Sequence, residues 1–587
     1  MRLLDTRLKT VLLFVFAFII FCLGAISVNN VCLFSLYPDE FGYWATAAQL
    51  DGVDFSDVTY LAGTYSFGYG IILWPIFHFF AEACEAYRVA VAVNFVLMMA
   101  ALIVLTRIVS DITDDNRVVC LMTAAAGAFY APWIFYSSTT LVESISMFFF
   151  VLLVRVYQKY DKTGKLLYGI LLVLIAAFMY AFHSRMLVVV IAVAAGLLFR
   201  IVALCIEKGA SENKNKSVLR LAICILVLAA TVFAVYKVGK YFDALTFKRL
   251  SDESLELNEA GAVASRLKFL ASHDSRLRTL IGFIGKISYM ILASFGLACY
   301  GIKYCFIRIK KDKSGAAIMI LTTALLMVLV STIYLIADSH ADSLIYGRYD
   351  EFMIPVLMVL GVVQWQQESK RDRLSAVFQT VMICFVGIIG FAMADAGAFK
   401  FSISKIRAFM VPAIIAFKHS FGSDSLGLIF ASLILAAITV LVSLTFFKIT
   451  GIDNKRKKSV ILSAFLMLMV VGEIILGLYV SDKYIFNYSE STREDIALCE
   501  TIEKVADEGG NIYYLRENNS RFVDALKMQM RYRMIDTISA DEIDTISPKD
   551  IVITVYNTKY SGELYEMYDS FRIGDLLGIF YNSEMTD

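Results

Sequence analysis

Two adjacent carboxylates, Asp39 and Glu40, stand in the run Tyr37-Pro38-Asp39-Glu40-Phe41-Gly42-Tyr43-Trp44, directly after the first long apolar stretch of the chain. Charge at a membrane edge is costly unless it is used, which makes an adjacent pair of carboxylates there a functional candidate. Pro38 suits the first position of a helix, which puts both acids in a first turn, where the helix dipole favours negative charge. A plain helix cap is therefore a second account of the pair. The aromatic neighbours argue for more, because Tyr37, Phe41, Tyr43 and Trp44 form a belt that fixes this turn at headgroup level. There a carboxylate can meet a lipid headgroup and a soluble acceptor together, with Tyr43 as a substrate contact.

Phosphate chemistry needs guanidinium groups, whose planar fork makes bidentate bonds to phosphate oxygens. Arg185, and Arg348 of Gly347-Arg348-Tyr349, lie in short loops that the topology below places outside, where Lys and Arg are disfavoured. Both suit a lipid phosphate, with Arg88 as a third candidate; snorkelling to headgroups is the ordinary alternative. Glu143 follows Ser137-Ser138-Thr139-Thr140-Leu141-Val142 at the edge of an apolar run. It is a substrate-binding candidate or, more plainly, a helix-start charge. Tyr349 and His340 are further substrate-contact candidates beside Arg348. His78, His183, His273 and His419 complete the histidines, none paired at ligand spacing, so no metal residue is assigned. No cofactor is required by these residues, and a divalent cation stays open.

The elements that must position these groups are membrane helices. The chain is 59% hydrophobic and 18% charged, against about 25% charged for a soluble domain. Its mean hydropathy is +0.68. Apolar runs predict about thirteen transmembrane helices, at roughly 11–30, 88–108, 118–136, 142–158, 167–183, 186–206, 218–236, 284–306, 315–336, 352–366, 375–394, 427–447 and 459–480. Basic clusters such as Lys208, Lys214, Lys216 and Arg220, or Lys455 to Lys458, fall on alternate loops and put the N-terminus in the cytoplasm. Tyr69 to Phe80 is too short to span about 30 Å and would invert every later loop if it did. It reads as a juxtamembrane or re-entrant helix inside one exterior loop, 31–87.

Two other exterior stretches, about 239–283 and 395–426, carry Lys248, Arg249, Arg266, Lys268, Arg276 and Arg278, and Lys400, Lys405, Arg407 and Lys418. They read as amphipathic helices on the membrane, either solvated or touching substrate. The polar tail, 481–587, predicts a small exterior α/β domain, with helices over 496–507 and 520–531 and strands over 511–515 and 551–556. Its Asp-Thr-Ile-Ser tetrad occurs at 536–539 and 544–547, too short an echo for a repeat architecture. Cys32, Cys84 and Cys499 face outside in this topology, and a Cys32–Cys84 disulfide is one option. No GxGxxG or GxxxxGK[ST] loop occurs, which argues against ATP-driven transport, and no basic block outside the loops calls for nucleic acid.

The ordered set of a first span, Asp39-Glu40-Phe41-Gly42-Tyr43-Trp44-Ala45, an apolar exterior helix, Arg88, Glu143, His183-Ser184-Arg185 and Arg348-Tyr349 leading to Ile354-Pro355 resembles the GT-C class of membrane glycosyltransferases. It is most similar there to protein O-mannosyltransferase and lipid A aminoarabinose transferase relatives. The resemblance covers about 9–366. It implies an all-α polytopic membrane protein of the plasma membrane, with a transmembrane domain over 1–480 and an exterior domain over 481–587. It also implies transfer of a hexosyl or pentosyl group, with inversion, from a polyprenyl-phosphate donor to a hydroxyl of a protein, lipid or glycan acceptor. By the same resemblance Asp39 is the general base, Glu40 orients or binds sugar, and Arg348, Arg185 and Arg88 neutralise the lipid phosphate. Val31 to Phe80 lacks Lys and Arg, where such relatives often carry one, so phosphate binding falls to the later arginines. A transporter or flippase of lipid-linked sugars is the alternative, yet ionisable groups gather at span ends rather than at mid-membrane.

Overall fold

Long apolar runs with few helix breakers become long helices, because a bilayer leaves the backbone no other partner than itself. The computed structural model describes residues 2–35, 39–59, 65–113, 116–206, 212–247, 273–335, 341–368, 370–393, 407–416, 424–516 and 522–586. Tyr37, Pro38, Lys208, Lys248, Arg249, Arg266, Lys268, His340, Lys400, Lys405, Lys418 and His419 lie outside these, and with them most of the amphipathic stretch expected over 239–283. The helices used below are α1 (Arg2–Asn30), α2 (Asp39–Leu50), α3 (Ser56–Thr59), α4 (Gly68–Phe79), α5 (Ala83–Ile112), α6 (Arg117–Ala128), α7 (Ala131–Ser137), α8 (Val142–Thr163), α9 (Leu166–Phe182) and α10 (Leu187–Ile206). Then follow α11 (Glu212–Thr246), α12 (His273–Ala293), α13 (Leu297–Asp312), α14 (Gly315–Leu335), α15 (Ile354–Gln367), α16 (Lys370–Met393), α17 (Pro412–Ile415), α18 (Asp424–Thr450) and α19 (Lys455–Ser481).

Eight helices among the described residues are long and apolar enough to cross a membrane, and up to ten if each of two bent pairs counts as one span. The first pair, α6 and α7, turns by 57°. Pro132 opens α7, and the buried carboxylate of Glu473 accepts from the Ala131 N–H at 2.7 Å, which satisfies a donor that the break exposes. The second pair turns by 101° between α12 and α13. Phe295 and Gly296 both take positive φ there, 50° and 81°. The apolar stretch 284–306, expected as one span, is therefore two helices that meet at a sharp corner. Hydrophobicity reported its burial but not the left-handed backbone inside it.

The loop that follows α1 folds back into the molecule rather than standing in solvent. Phe41, Tyr43, Trp44, Ala47 and Ala48 of α2 are buried, and α4 packs beside it as the expected short helix. Tyr69, Leu73 and Phe77 point inward from α4, while Ile71, Trp74 and Phe79 are exposed. Cys32 and Cys84 form a disulfide that closes the loop at both ends.

At the far end of the chain α19 runs through a π-helical segment, Asp482–Phe486, straight into α20 (Asn487–Ile496), followed by α21 (Cys499–Asp507). The polar tail is thus joined without a linker. It carries a five-stranded sheet of β1 (Ile512–Leu515), β2 (Asp536–Ile538), β3 (Ile551–Val555), β4 (Ser570–Ile573) and β5 (Leu577–Tyr581) in the order β2-β1-β3-β5-β4, with α22 (Asp524–Gln529) between β1 and β2. β1 pairs parallel with β2 and β3, and β5 pairs antiparallel with β3 and β4. The first Asp-Thr-Ile-Ser tetrad supplies β2, whereas the second spans the end of a 3-10 helix, Ala540–Thr545, and the turn after it. The identical tetrads take different conformations: only the first pairs with β1.

Candidate active site

α2 begins at Asp39, so both acids occupy its first turn, and there their environments part. Glu40 is fully buried. Its Oε1 accepts from the N and Oγ of Ser35 at 3.1 and 3.3 Å, and its Oε2 from Tyr87 Oη at 2.6 Å and from the N and Oγ1 of Thr140 at 2.8 and 2.9 Å. Both oxygens are committed to protein donors. Glu40 therefore anchors the turn to α5 and to the loop before α8, which corrects the expectation that it meets the sugar.

Asp39 keeps 27% of its side chain exposed. Its Oδ1 accepts from Tyr65 Oη at 2.9 Å and its Oδ2 from Arg348 Nη1 at 2.6 Å. Arg348 Nε in turn donates to Glu143 Oε1 at 2.7 Å, and Arg185 Nη2 donates to that same oxygen at 2.7 Å. Residues far apart in sequence thus form one ionic chain, Asp39–Arg348–Glu143–Arg185. The last three are nearly closed to solvent, with side-chain exposures of 6%, 2% and 6%. Burial works against the charge on Arg348, but Glu143 and then Asp39 outweigh it and hold its pKa above the usual guanidinium value. Arg185 Nε and Nη1, and Glu143 Oε2, are buried and find no partner among the described residues. A guanidinium with two free donors in a closed site is arranged to receive an anion.

Two glycines make this geometry by letting rings come close. A Cβ on Gly42 would lie 1.9 Å from the Tyr65 ring, so only glycine allows that ring against α2 with its hydroxyl at Asp39. A Cβ on Gly347 would lie 1.9 Å from Tyr289. The Gly347 and Arg348 N–H groups donate to Met410 O at 2.9 and 3.2 Å. Phe409 lies 5.5 Å from the Arg348 guanidinium, and Tyr136 Oη donates to Phe409 O at 2.6 Å. The segment 407–416 is thus a buried roof over Arg348, not the amphipathic surface helix expected for 395–426. Arg407 is held there by Asp342, with its Nε and Nη2 donating to the carboxylate at 3.0 and 2.9 Å.

Among the other expected residues, Tyr349 lies beneath Arg185, 4.5 Å from ring centroid to guanidinium. Tyr43 is buried between Tyr65 and Tyr69, both at 5.4 Å, which makes it a support for Tyr65 rather than a surface contact. Glu143 is the ionic link between two arginines and not an open carboxylate. Arg88 donates from Nε to Val31 O at 2.9 Å, and no bond among the described residues ties it to the Asp39 chain. His183 accepts the Arg185 backbone N–H at Nδ1, 3.2 Å away, and so shapes the turn that presents Arg185. No group of three or more His, Cys, Asp or Glu fit to hold a metal occurs among the described residues.

Sequence reasoning passed over Tyr65, Asp350 and Glu351. Glu351 is buried and takes hydrogen bonds from Tyr130 and Tyr289, which fastens the Arg348 turn to α7 and α12. Asp350 is also buried, and burial raises its carboxyl above the usual carboxylate range against the pull of Lys286 and Arg185. Three charged residues within Arg348-Tyr349-Asp350-Glu351 at a membrane edge were the available signal. Tyr65 carries none, being one of several aromatics between Tyr60 and Tyr69.

No protein-family model and no curated protein matches the chain. Among solved structures, ArnT from Cupriavidus metallidurans bound to undecaprenyl phosphate is similar over 98% of this chain and 99% of its own, with 10% identity and a TM-score of 0.54. The fold is that of ArnT. The same protein in its apo state is similar over 97% of both chains, with 12% identity and a TM-score of 0.50. The likeness to ArnT covers nearly the whole chain, so the polytopic fold expected from short motifs over about 9–366 extends through the C-terminal segment.

Proposed function

We propose that this protein transfers a sugar from a polyprenyl-phosphate donor to an acceptor hydroxyl at the exterior membrane face. One observation carries the reading: a partly exposed carboxylate, Asp39, is joined through Arg348 and Glu143 to a buried guanidinium, Arg185, that has two unpartnered donors. Base and phosphate clamp are then parts of one site, within the separation of about 15 Å that a single sugar phosphate tolerates. The undecaprenyl phosphate bound to ArnT supports a polyprenyl phosphate as leaving group.

In this reading the acceptor oxygen forms its bond to the anomeric carbon as Asp39 takes the hydroxyl proton. The bond from that carbon to the phosphate oxygen breaks on the opposite side, its electron pair leaves with the polyprenyl phosphate, and the configuration inverts. Arg185 and Arg348 stabilise the charge that develops on the leaving group. Glu40 and Glu143 hold these groups in place without meeting the substrate. Exterior placement of 31–87 and 481–587, with a cytoplasmic N-terminus, is supported by the basic loops and by the Cys32–Cys84 disulfide, since disulfides persist in oxidising compartments.

The test is Asp39→Asn in proteoliposomes supplied with a polyprenyl-phosphate sugar. Transfer should fall by about 10²-fold or more, with donor binding close to wild type. Full transfer would remove Asp39 as base, and donor movement across the bilayer without transfer would favour the flippase alternative.

A further inference from the structure

The C-terminal segment grips the loop that carries Asp39 on both sides of α2. Upstream, Ser489 Oγ accepts from the backbone N–H groups of Cys32 and Leu33 at 2.8 and 3.2 Å and donates to Leu33 O at 2.9 Å. Downstream, Lys527 Nζ donates to Asp57 Oδ2 at 2.7 Å and lies 5.4 Å from the Phe55 ring. The Arg531 guanidinium lies 3.9 Å from the Phe77 ring and donates to Phe77 O at 2.6 Å and to Phe80 O.

A single aromatic layer connects these cations to the catalytic turn. Phe55 stacks on Phe41 of α2 with centroids 5.5 Å apart and rings 6° from parallel. Phe77 meets Phe55 edge-on at 5.9 Å and Trp44 of α2 at 6.5 Å. Asp39 stands two residues before Phe41, so a shift of Phe55 or Phe77 moves the turn that aims the carboxylate.

The Lys527–Asp57 pair is itself informative. Its side chains are only 2% and 5% exposed. Desolvation cancels much of the attraction of such a pair, and its best-attested use is to fix registry. The two residues are 470 apart in sequence, so the registry fixed is that of the C-terminal segment on the Asp39 loop.

Resting on the transferase reading above, we infer that Lys527 and Arg531 are positioning residues that set the aim of Asp39 from the C-terminal segment. The segment is then part of the catalytic apparatus, not only a surface for acceptors or partners.

The experiment uses the full chain in nanodiscs with a polyprenyl-phosphate sugar as donor. Lys527→Met, and the charge-neutral pair Asp57→Asn with Lys527→Met, should lower kcat about tenfold, since small misplacements of a reacting group are costly to rate. Donor KM should stay within about twofold, and Lys527→Arg should restore most of kcat. Hydrogen exchange of peptides from 39–50 should speed up in the variants, while peptides from α10 stay unchanged. The neutral pair covers the case in which Lys527→Met alone leaves Asp57 uncompensated and does not fold. Wild-type kcat in the folded neutral pair, a change in KM alone, or unaltered exchange over 39–50 would each overturn the proposal. Loss of Asp39 as base is read separately from Asp39→Asn, and the exchange measurement judges the clamp even then.

Discussion

α8 and the turn that leads into α10 carry charged clusters at both ends, and the two ends behave differently. At one end Glu143 Oε1 is shared by Arg348 and Arg185, all nearly closed to solvent, with donors left over on Arg185. At the other, Asp111 Oδ2 takes Arg155 at 2.6 Å and Lys159 at 2.9 Å, with side chains 14–30% exposed. There Asp161 Oδ2 accepts from Ser314 Oγ and Ala316 N at 2.9 and 3.0 Å, and Arg200 Nη1 donates to Lys313 O at 3.0 Å. Asp111, Asp161, Arg200, Ser314 and Ala316 line an open cavity of about 390 Å³. Charge at a helix end is common to both, so it does not identify a site. What sets the first end apart is a single buried guanidinium with two donors unspent, a combination that is unfavourable unless something else comes to use it.

The largest expected effect comes from cutting the buried chain at its shared oxygen. Glu143→Gln leaves Arg185 and Arg348 facing each other without the carboxylate between them. Breaking a buried pair in this way costs about 3–5 kcal/mol. Thermal unfolding in detergent should show the loss directly, and transfer should fall to background because both guanidinium groups turn away. A Glu143→Gln protein with wild-type stability and activity would put the buried end on a par with the exposed one.

How far the sequence disclosed this contrast depends on the residue. Arg185 and Arg348 were legible because the positive-inside bias makes a short exterior loop the wrong place for arginine. Asp39 and Glu40 were legible as a pair but not as two roles: nothing in adjacent letters tells that Ser35, Tyr87 and Thr140 converge on Glu40 alone. Membrane class, the short α4 helix and the outline of the C-terminal domain followed from hydropathy and turn residues. Missing were β2, which is only three residues long, β4, which is mostly exposed, and β5, whose apolar run Leu577–Tyr581 is buried but is interrupted by Gly578. The corner between α12 and α13 was hidden because Phe295 reads as one more apolar residue while it adopts a positive φ.

A smaller effect should separate aim from charge within the buried end. Tyr65→Phe removes the hydroxyl that donates to Asp39 Oδ1 but keeps the ring in the space that Gly42 leaves for it. Stability should change by about 1 kcal/mol or less, the net worth of one hydrogen bond. Activity should fall several-fold through kcat, as Asp39 retains Arg348 but loses its second restraint. Steady-state kinetics on the purified variant decide the point, and an unchanged kcat would mean that Arg348 alone aims the carboxylate.

The smallest effect belongs to the exposed end, and its smallness is the sharper half of the contrast. Asp111→Asn breaks the contacts to Arg155 and Lys159 at once. Both cations keep water and headgroups as partners, so the loss should stay within about 0.2–1 kcal/mol and shrink further in high salt. Arg155 also donates to Arg107 O at 3.3 Å, which holds its side chain after the carboxylate is gone. Transfer measured in proteoliposomes should be indistinguishable from wild type. A large loss of activity in Asp111→Asn, with unfolding unchanged, would show that the cavity at this end also takes part in the reaction, and solvent exposure would no longer separate the two ends.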